Sequence, residues 1–364
     1  MLLLSFSSSF FICFAGMFKS YLSQTLVCAA FLLFTISCKP GKKVPDVSNI
    51  KVTVEVQRFE QELFTADTNQ LDVTMTQLSQ KYPSFFGDFM GNIMGLPPTD
   101  SALIAIRGFI DSYRPVYQET KKLFADFTPY QKEIEKAYQF TNYYFPTYKL
   151  PAKVITFIGP MDALFTGSIS SYGDAMTHAG PSVGLQLHLG KTYPAYQTGM
   201  ETGIAFGYQV GRFTPSTIPV NVMKNVVDDM FPYGADGRPL IEQMIEKGKR
   251  LYILDQLMPF TADTLKIGYT QAQLDLCNKH EAEIWNFFVK NDLVYSIEPS
   301  INKEYIADGP KTQILGEGVP GYLGLYVGWQ IVKKYMEKND KITLDQLMQK
   351  NAKALFNEAG YKPE

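Results

Sequence analysis

Histidine is scarce in this 364-residue chain: His178, His188 and His280 are the whole supply. That scarcity argues against the commonest zinc chemistry, because a tetrahedral site needs several convergent imidazoles or thiolates. His280-Glu281 opens like the H-E-x-x-H helix of zinc peptidases, but the place of the second histidine is held by Ile284. His188 falls in an apolar alternating stretch, where a core or sheet-face role is expected, and His178 sits in a Gly- and Ser-containing loop. Other catalytic signatures are missing too: there is no P-loop, no G-x-G-x-x-G after a strand and no G-x-S-x-G. Neither sign of charge is in excess, with 34 Lys and Arg against 36 Asp and Glu and a net charge of −2. Without a basic field, nucleic-acid binding has no electrostatic support.

A long uninterrupted apolar run is also lacking. Lys19, Ser20, Ser23 and Gln24 break the apolar residues 1–37, short of the roughly 20 that a membrane span needs. The run from Ala29 to Ser37 instead ends at Cys38, and Lys39-Pro40-Gly41-Lys42-Lys43 follows at once. A small residue before a cysteine at the end of such a run reads as a bacterial lipoprotein signal, with Thr35 where an aliphatic residue is preferred. Residues 1–16 carry no Lys or Arg, whereas Met17-Phe18-Lys19 supplies the cationic start that a signal peptide needs. The expectation is translation from Met17, cleavage after Ser37 and acylation of Cys38, with palmitate as the label that reports it. Cys13 and Cys28 leave with the signal, so Cys277 remains as the sole free thiol and no intramolecular disulfide can form.

Residues 38–49 then form a lipid-anchored tether and residues 50–364 a single domain, long enough for a substantial core. Val52, Val54 and Val56 alternate with polar neighbours and predict a half-buried first strand over Ile50–Glu60. A helical region follows to about residue 145, with breaks expected at Gly95-Leu96-Pro97-Pro98 and before Pro115. Val154 to Gly159 reads as a buried strand and Val183 to Leu189 as an alternating one, with a turn or edge strand between them. Helices are expected at Asn221–Met230, Leu240–Leu257 (opened by Pro239), Thr270–Lys290, Tyr322–Lys338 and Leu344–Phe356. The class is α+β, mostly helical with a small sheet in the middle of the chain.

Two carboxylates draw notice. Glu242 lies early in the Leu240 helix, where its charge suits the positive helix end. Glu317 lies in Gly316-Glu317-Gly318-Val319-Pro320-Gly321, where capping or loop hydrogen bonding is the plainer role. Gly318, Gly321, Gly324 and Gly328 recur at three- and four-residue spacing, which permits close packing by a neighbouring element. Aromatic residues make up 14% of the chain, with 22 Tyr, and serve core packing or, if clustered on the surface, sugar stacking.

The chain resembles the gliding-motility lipoprotein B (GldB) family of Bacteroidetes. The resemblance is carried by the lipoprotein cysteine, Arg58-Phe59-Glu60-Gln61-Glu62-Leu63-Phe64, Lys81 to Phe86, Leu187 to Pro194, Gly248 to Asp255, Glu283 to Phe288 and Pro320 to Val332. That family is distantly similar to predicted zinc peptidases, which implies a zincin-like scaffold. On that alignment Ile241 and Ile245 stand at the two histidine positions, Glu242 at the general base, and Glu317 marks the third-ligand region. A general base with no metal-bound water has nothing to activate, so the resemblance implies a pseudoenzyme with no catalytic residues, metal or cofactor.

The reading that results is a non-catalytic, lipid-anchored envelope protein. It sits on the cell membrane or outer membrane, faces the periplasm and supports gliding or linked secretion machinery through contacts with unidentified envelope proteins. The alternatives are a metallopeptidase with unusual ligands such as His178, His280 and Glu317, a glycan-active enzyme with paired carboxylates, or a glycan-binding lipoprotein.

Overall fold

The computed structural model describes residues 44–99, 101–161, 173–203, 205–312 and 318–364. The signal segment, Met17, Cys38 and Glu317 therefore lie outside the described residues. The chain divides at Asp46, and the unit Val47–Glu364 carries every element below.

Alternation of Val52, Val54 and Val56 leads into strand β1, Glu55–Arg58, with Val54 in the core. The chain turns directly into helix α1, Phe59–Phe64, which buries Phe59, Leu63 and Phe64. The turn is held by a buried carboxylate. Glu60 Oε1 accepts from Arg58 Nε at 2.7 Å, and its Oε2 accepts from Thr156 Oγ1 at 2.6 Å. Burial pushes the Glu60 carboxyl up, against the pull of the Arg58 guanidinium. Helices α2 (Leu71–Lys81), α3 (Pro83–Asp88), α4 (Ser101–Leu123) and α5 (Thr128–Tyr144) follow. Leu71, Met75, Leu78 and Tyr82 meet the core at the spacing seen in the sequence.

Strand β2, Lys153–Phe157, pairs parallel to β1, with Val154 opposite Val56. Strand β4, Gly180–Gly184, continues the parallel set, and β3, Ala175–Thr177, closes the edge antiparallel to β4. The sheet order is β1-β2-β4-β3, so the first strand of the domain joins the sheet across the whole helical region. β2 is buried from Val154 to Phe157, as a central parallel strand should be.

Helices dominate the remainder: α6 (Pro194–Glu201), α7 (Gly207–Val210), α8 (Ile218–Met230), α9 (Leu240–Leu257) and α10 (Asp263–Ile267). Next come α11 (Gln271–Lys279), α12 (Glu281–Lys290), α13 (Pro299–Ile306), α14 (Leu323–Lys338), α15 (Leu344–Gln349) and α16 (Ala352–Ala359). The observed class is mostly helical with a small mixed sheet, and no solved structure bears on a zincin-like assignment.

Four expected boundaries are corrected. α4 runs through Pro115 without a break. Pro115 and Asp111 both face solvent, so water can satisfy the carbonyl that the proline leaves unbonded. The expected strand to Leu189 ends at Gly184 and tightens into a 3₁₀ turn at Leu185–Leu187. The long helix Thr270–Lys290 breaks at His280, where Glu281 and Glu283 start a new helix with favourable charge. The last helix breaks at Lys350, whose backbone is extended. There Lys249 Nζ, fully buried, donates to the carbonyls of Met348 and Lys350, a bond from a residue about a hundred positions away.

The glycine stripe does what its spacing predicts. A Cβ on Gly328 would strike the backbone carbonyl of Met244 in α9, and one on Gly248 would strike the backbone of Gly328. The motif helices α9 and α14 thus touch backbone to backbone. Beyond that contact, Trp329 Nε1 donates to Asp255 Oδ2 at 2.6 Å, and Lys266 Nζ lies 2.6 Å from Asp255 Oδ1.

Candidate functional site

Three of the five polar residues of α8 fall on one stripe, while Asn225 is buried and Asp229 accepts from the Tyr148 hydroxyl. Val222, Met223 and Val226 go to the core, while Asn221, Lys224 and Asp228, spaced by three and four, face a cavity. The opposite wall is the matching stripe of α9: Gln243, Lys247, Arg250 and Leu254. The segment from Gly207 to Thr217, the α10 end, α13 and residues 320–325 complete the enclosure. The cavity measures about 1010 Å³, at the upper end of the range, about 300–1,000 Å³, of ligand pockets.

Its electrostatics are organised around cations. Arg212 forks onto Asp308, with Nη2 2.8 Å from Oδ1 and Nη1 3.0 Å from Oδ2, and its guanidinium lies 5.3 Å from the Tyr208 ring centre. Gly268 ends α10 in the left-handed region at φ 82°, a conformation that favours glycine, and lies beside the Arg212 guanidinium. Lys224 keeps only part of its surface accessible. Burial, reinforced by Arg212 and opposed by Asp308 and Asp228, pushes its ammonium down to about 8. Lys247 Nζ sits over two rings, 4.6 Å from the centre of Tyr233 and 5.2 Å from that of Tyr322. Tyr322 itself is held at φ 61°, a strained conformation for a residue with a side chain, at the start of α14. Arg250 donates to the carbonyls of Glu246 and Phe231 at 2.7 and 2.6 Å.

Of the histidines, only His188 reaches this cavity, and it serves the framework. Its Nδ1 lies 3.1 Å from both the Thr214 carbonyl and Thr217 Oγ1, and its Nε2 lies 3.0 Å from Asp174 Oδ1. Asp174 Oδ1 also accepts from the Gly184 N–H at 2.9 Å, which locks the buried pair into the framework. The pair ties the end of β4 to the entry of α8. His178 pairs with Asp88 at 2.9 Å, with 84% of its side chain exposed, and His280 contacts Glu283 at 2.6 Å. Neither lines the cavity, and no group of three or more His, Cys, Asp or Glu able to hold a metal occurs among the described residues. Ile241 and Ile245 are buried in the core, and Glu242 lines a separate small cleft with Tyr295 and Lys353. Cys277 is buried, and its thiol is pushed up to about 12, out of the reactive range.

Three segments that carry the resemblance converge here: Leu187-His188, Arg250-Leu251, and Pro320-Gly321-Tyr322. A family model described as gliding motility protein GldB matches residues 40–363. The chain belongs to that family. Membership associates this GldB-family chain with gliding motility. No curated protein and no solved structure matches it. Among its described residues no helix is long and apolar enough to cross a membrane.

The cavity residues Lys224, Lys247 and Tyr233 were not singled out from sequence. The signal was there in the polar stripe Asn221, Lys224, Asp228 of α8, but such a stripe reads equally well as a solvated face until the opposing wall is known.

Proposed function

We propose that this GldB-family chain is a lipid-anchored envelope protein that supports gliding or linked secretion machinery by binding, without catalysis. The observation that carries the reading is the family match, which begins at residue 40, two positions past Cys38, and runs to residue 363. The family's designation as a lipoprotein family supports anchoring by acyl chains on Cys38; a body on the periplasmic side is part of the proposal. The isoleucines at positions 241 and 245 offer no metal-ligating atom, and they support the pseudoenzyme reading of Glu242. The cavity then serves as a receptor site rather than a reaction chamber.

Deletion of the gene in a gliding host tests this directly. Colony spreading and adhesin export should fail, wild-type chain should restore them, and Cys38→Ala should lose both palmitate label and complementation. Normal spreading after deletion would refute the motility role. Stoichiometric zinc in the purified protein would favour the metallopeptidase alternative, with Glu317 among its ligands. One observation favours the glycan-binding alternative: Phe206, 55% exposed, stacks at 6.0 Å on Tyr208, which lines the cavity. Retention on peptidoglycan that is lost in Phe206→Ala would support it.

A further inference from the structure

The cavity is lined by more cations than carboxylates. Arg212, Lys224, Lys247, Arg250, Lys266 and Lys303 line it with Asp228, Asp236 and Asp308; of the cations, Lys266 is held by Asp255 and Asp263 at 2.6 and 2.7 Å, and Arg250 by Asp228 at 3.5 Å and Glu246 at 3.7 Å. Asp308 already gives both its oxygens to Arg212. Lys247 rests on the rings of Tyr233 and Tyr322 and makes no ion pair with a carboxylate among the described residues. The lining also collects buried polar atoms with no hydrogen-bond partner among the described residues: Tyr233 Oη, Arg212 Nε and Asn302 Oδ1. Two of these three are donors, and leaving a buried donor unmatched is unfavourable. A ligand that brings acceptor oxygens would satisfy them, whereas a cationic ligand would add to the crowding of like charge at Lys224 and Arg212. The rest of the wall is apolar and aromatic, including Phe213, Val227, Leu251, Leu254, Ile267 and Leu325.

We infer that the cavity is a binding site for an organic anion, a carboxylate or phosphate carried on an apolar body, whose head is met by Lys224, Lys247 and the Tyr233 hydroxyl and whose body lies on the apolar wall. The inference rests on the receptor reading above and names its ligand class. Two sources supply this chemistry, a free small acid and the headgroup of an anionic lipid.

The test uses the full acylated chain in phosphatidylcholine nanodiscs, with saturation-transfer NMR titrations of 4-phenylbutyrate, phenyl phosphate and the uncharged 4-phenylbutanol. The two anions should bind at least ten-fold more tightly than the alcohol. Lys224→Met and Lys247→Gln should each reduce anion affinity about ten-fold and leave the alcohol unchanged, while Lys224→Arg retains most of the affinity. Lys279→Gln, outside the cavity, serves as the control, and melting curves confirm that each variant is folded. Dioctanoyl phosphatidic acid distinguishes the sources: binding tighter than phenyl phosphate assigns a lipid headgroup, and weaker binding assigns a free acid. Equal affinity for anion and alcohol, or anion affinity undiminished in both charge variants, overturns the inference. Because the readout is binding, such a failure leaves the spreading assay, and the motility reading it tests, standing separately.

Discussion

The two long faces of α9 have opposite characters. One face presents Met244 and Gly248 to Gly328 of α14 so closely that no side chain fits between the backbones. The other, less than half a turn of the helix away, presents Gln243, Lys247 and Arg250 to a cavity of about 1010 Å³. The closed face gains dispersion contacts and excludes water. The open face shares its cavity with Lys224 of α8, whose ammonium is pushed down by burial, a cost to stability of the kind by which binding sites commonly differ from the core that supports them.

The sharpest way to break the closed face is Gly328→Val. Its Cβ would overlap the Met244 carbonyl, and the expected loss exceeds about 4 kcal/mol, visible as failure to fold in circular dichroism. Asp255→Ala should come next, at about 3 kcal/mol by urea denaturation. It leaves the Lys266 ammonium with only Asp263 and the Trp329 indole N–H without its acceptor.

The open face should respond in the other direction. Lys224→Met is expected to stabilise the protein at pH 7 by about 2 kcal/mol, because a buried ammonium is replaced by an apolar chain of similar length. The sign follows from linkage. The folded-state value near 8 lies below the ordinary 10.5, so the penalty is full below about pH 8. Between there and 10.5 the unfolded chain holds the extra proton, stability of the wild type rises with pH, and the advantage of the variant should shrink. Melting temperatures of both proteins at pH 7 and pH 10 check this. Tyr233→Phe should be the mildest change, a gain of up to about 1 kcal/mol in stability, since it removes a buried hydroxyl that has no hydrogen-bond partner among the described residues. Its phenyl-phosphate affinity in the NMR titration should fall about three-fold.

Local pattern was a good guide wherever a residue's role depends on near neighbours. The Val52-Val54-Val56 alternation, the Leu71-Met75-Leu78-Tyr82 face and the glycine spacing before Trp329 all carried through to the fold. It misled at Pro115, where exposure of the freed carbonyl made a break unnecessary, and at Lys350, where a distant lysine rewarded one. The candidate site was less legible. The histidines and Glu242 prove to be a framework pair, two surface contacts and a side cleft, whereas the cavity is built from lysine, arginine and tyrosine on six separate stretches.

From sequence alone came the family, the α+β class, the expectation of an anchor at Cys38 and the absence of paired zinc histidines. These are properties of composition, short motifs and helical period, and they need no knowledge of what packs on what. Only the tertiary structure decided that Gly248 meets Gly328, that β1 pairs with β2 about a hundred residues later, and that Lys224 and Lys247 share one cavity. Burial and the opposing wall determine whether a polar stripe is a solvated surface or a binding site, and both are set by residues remote in the chain.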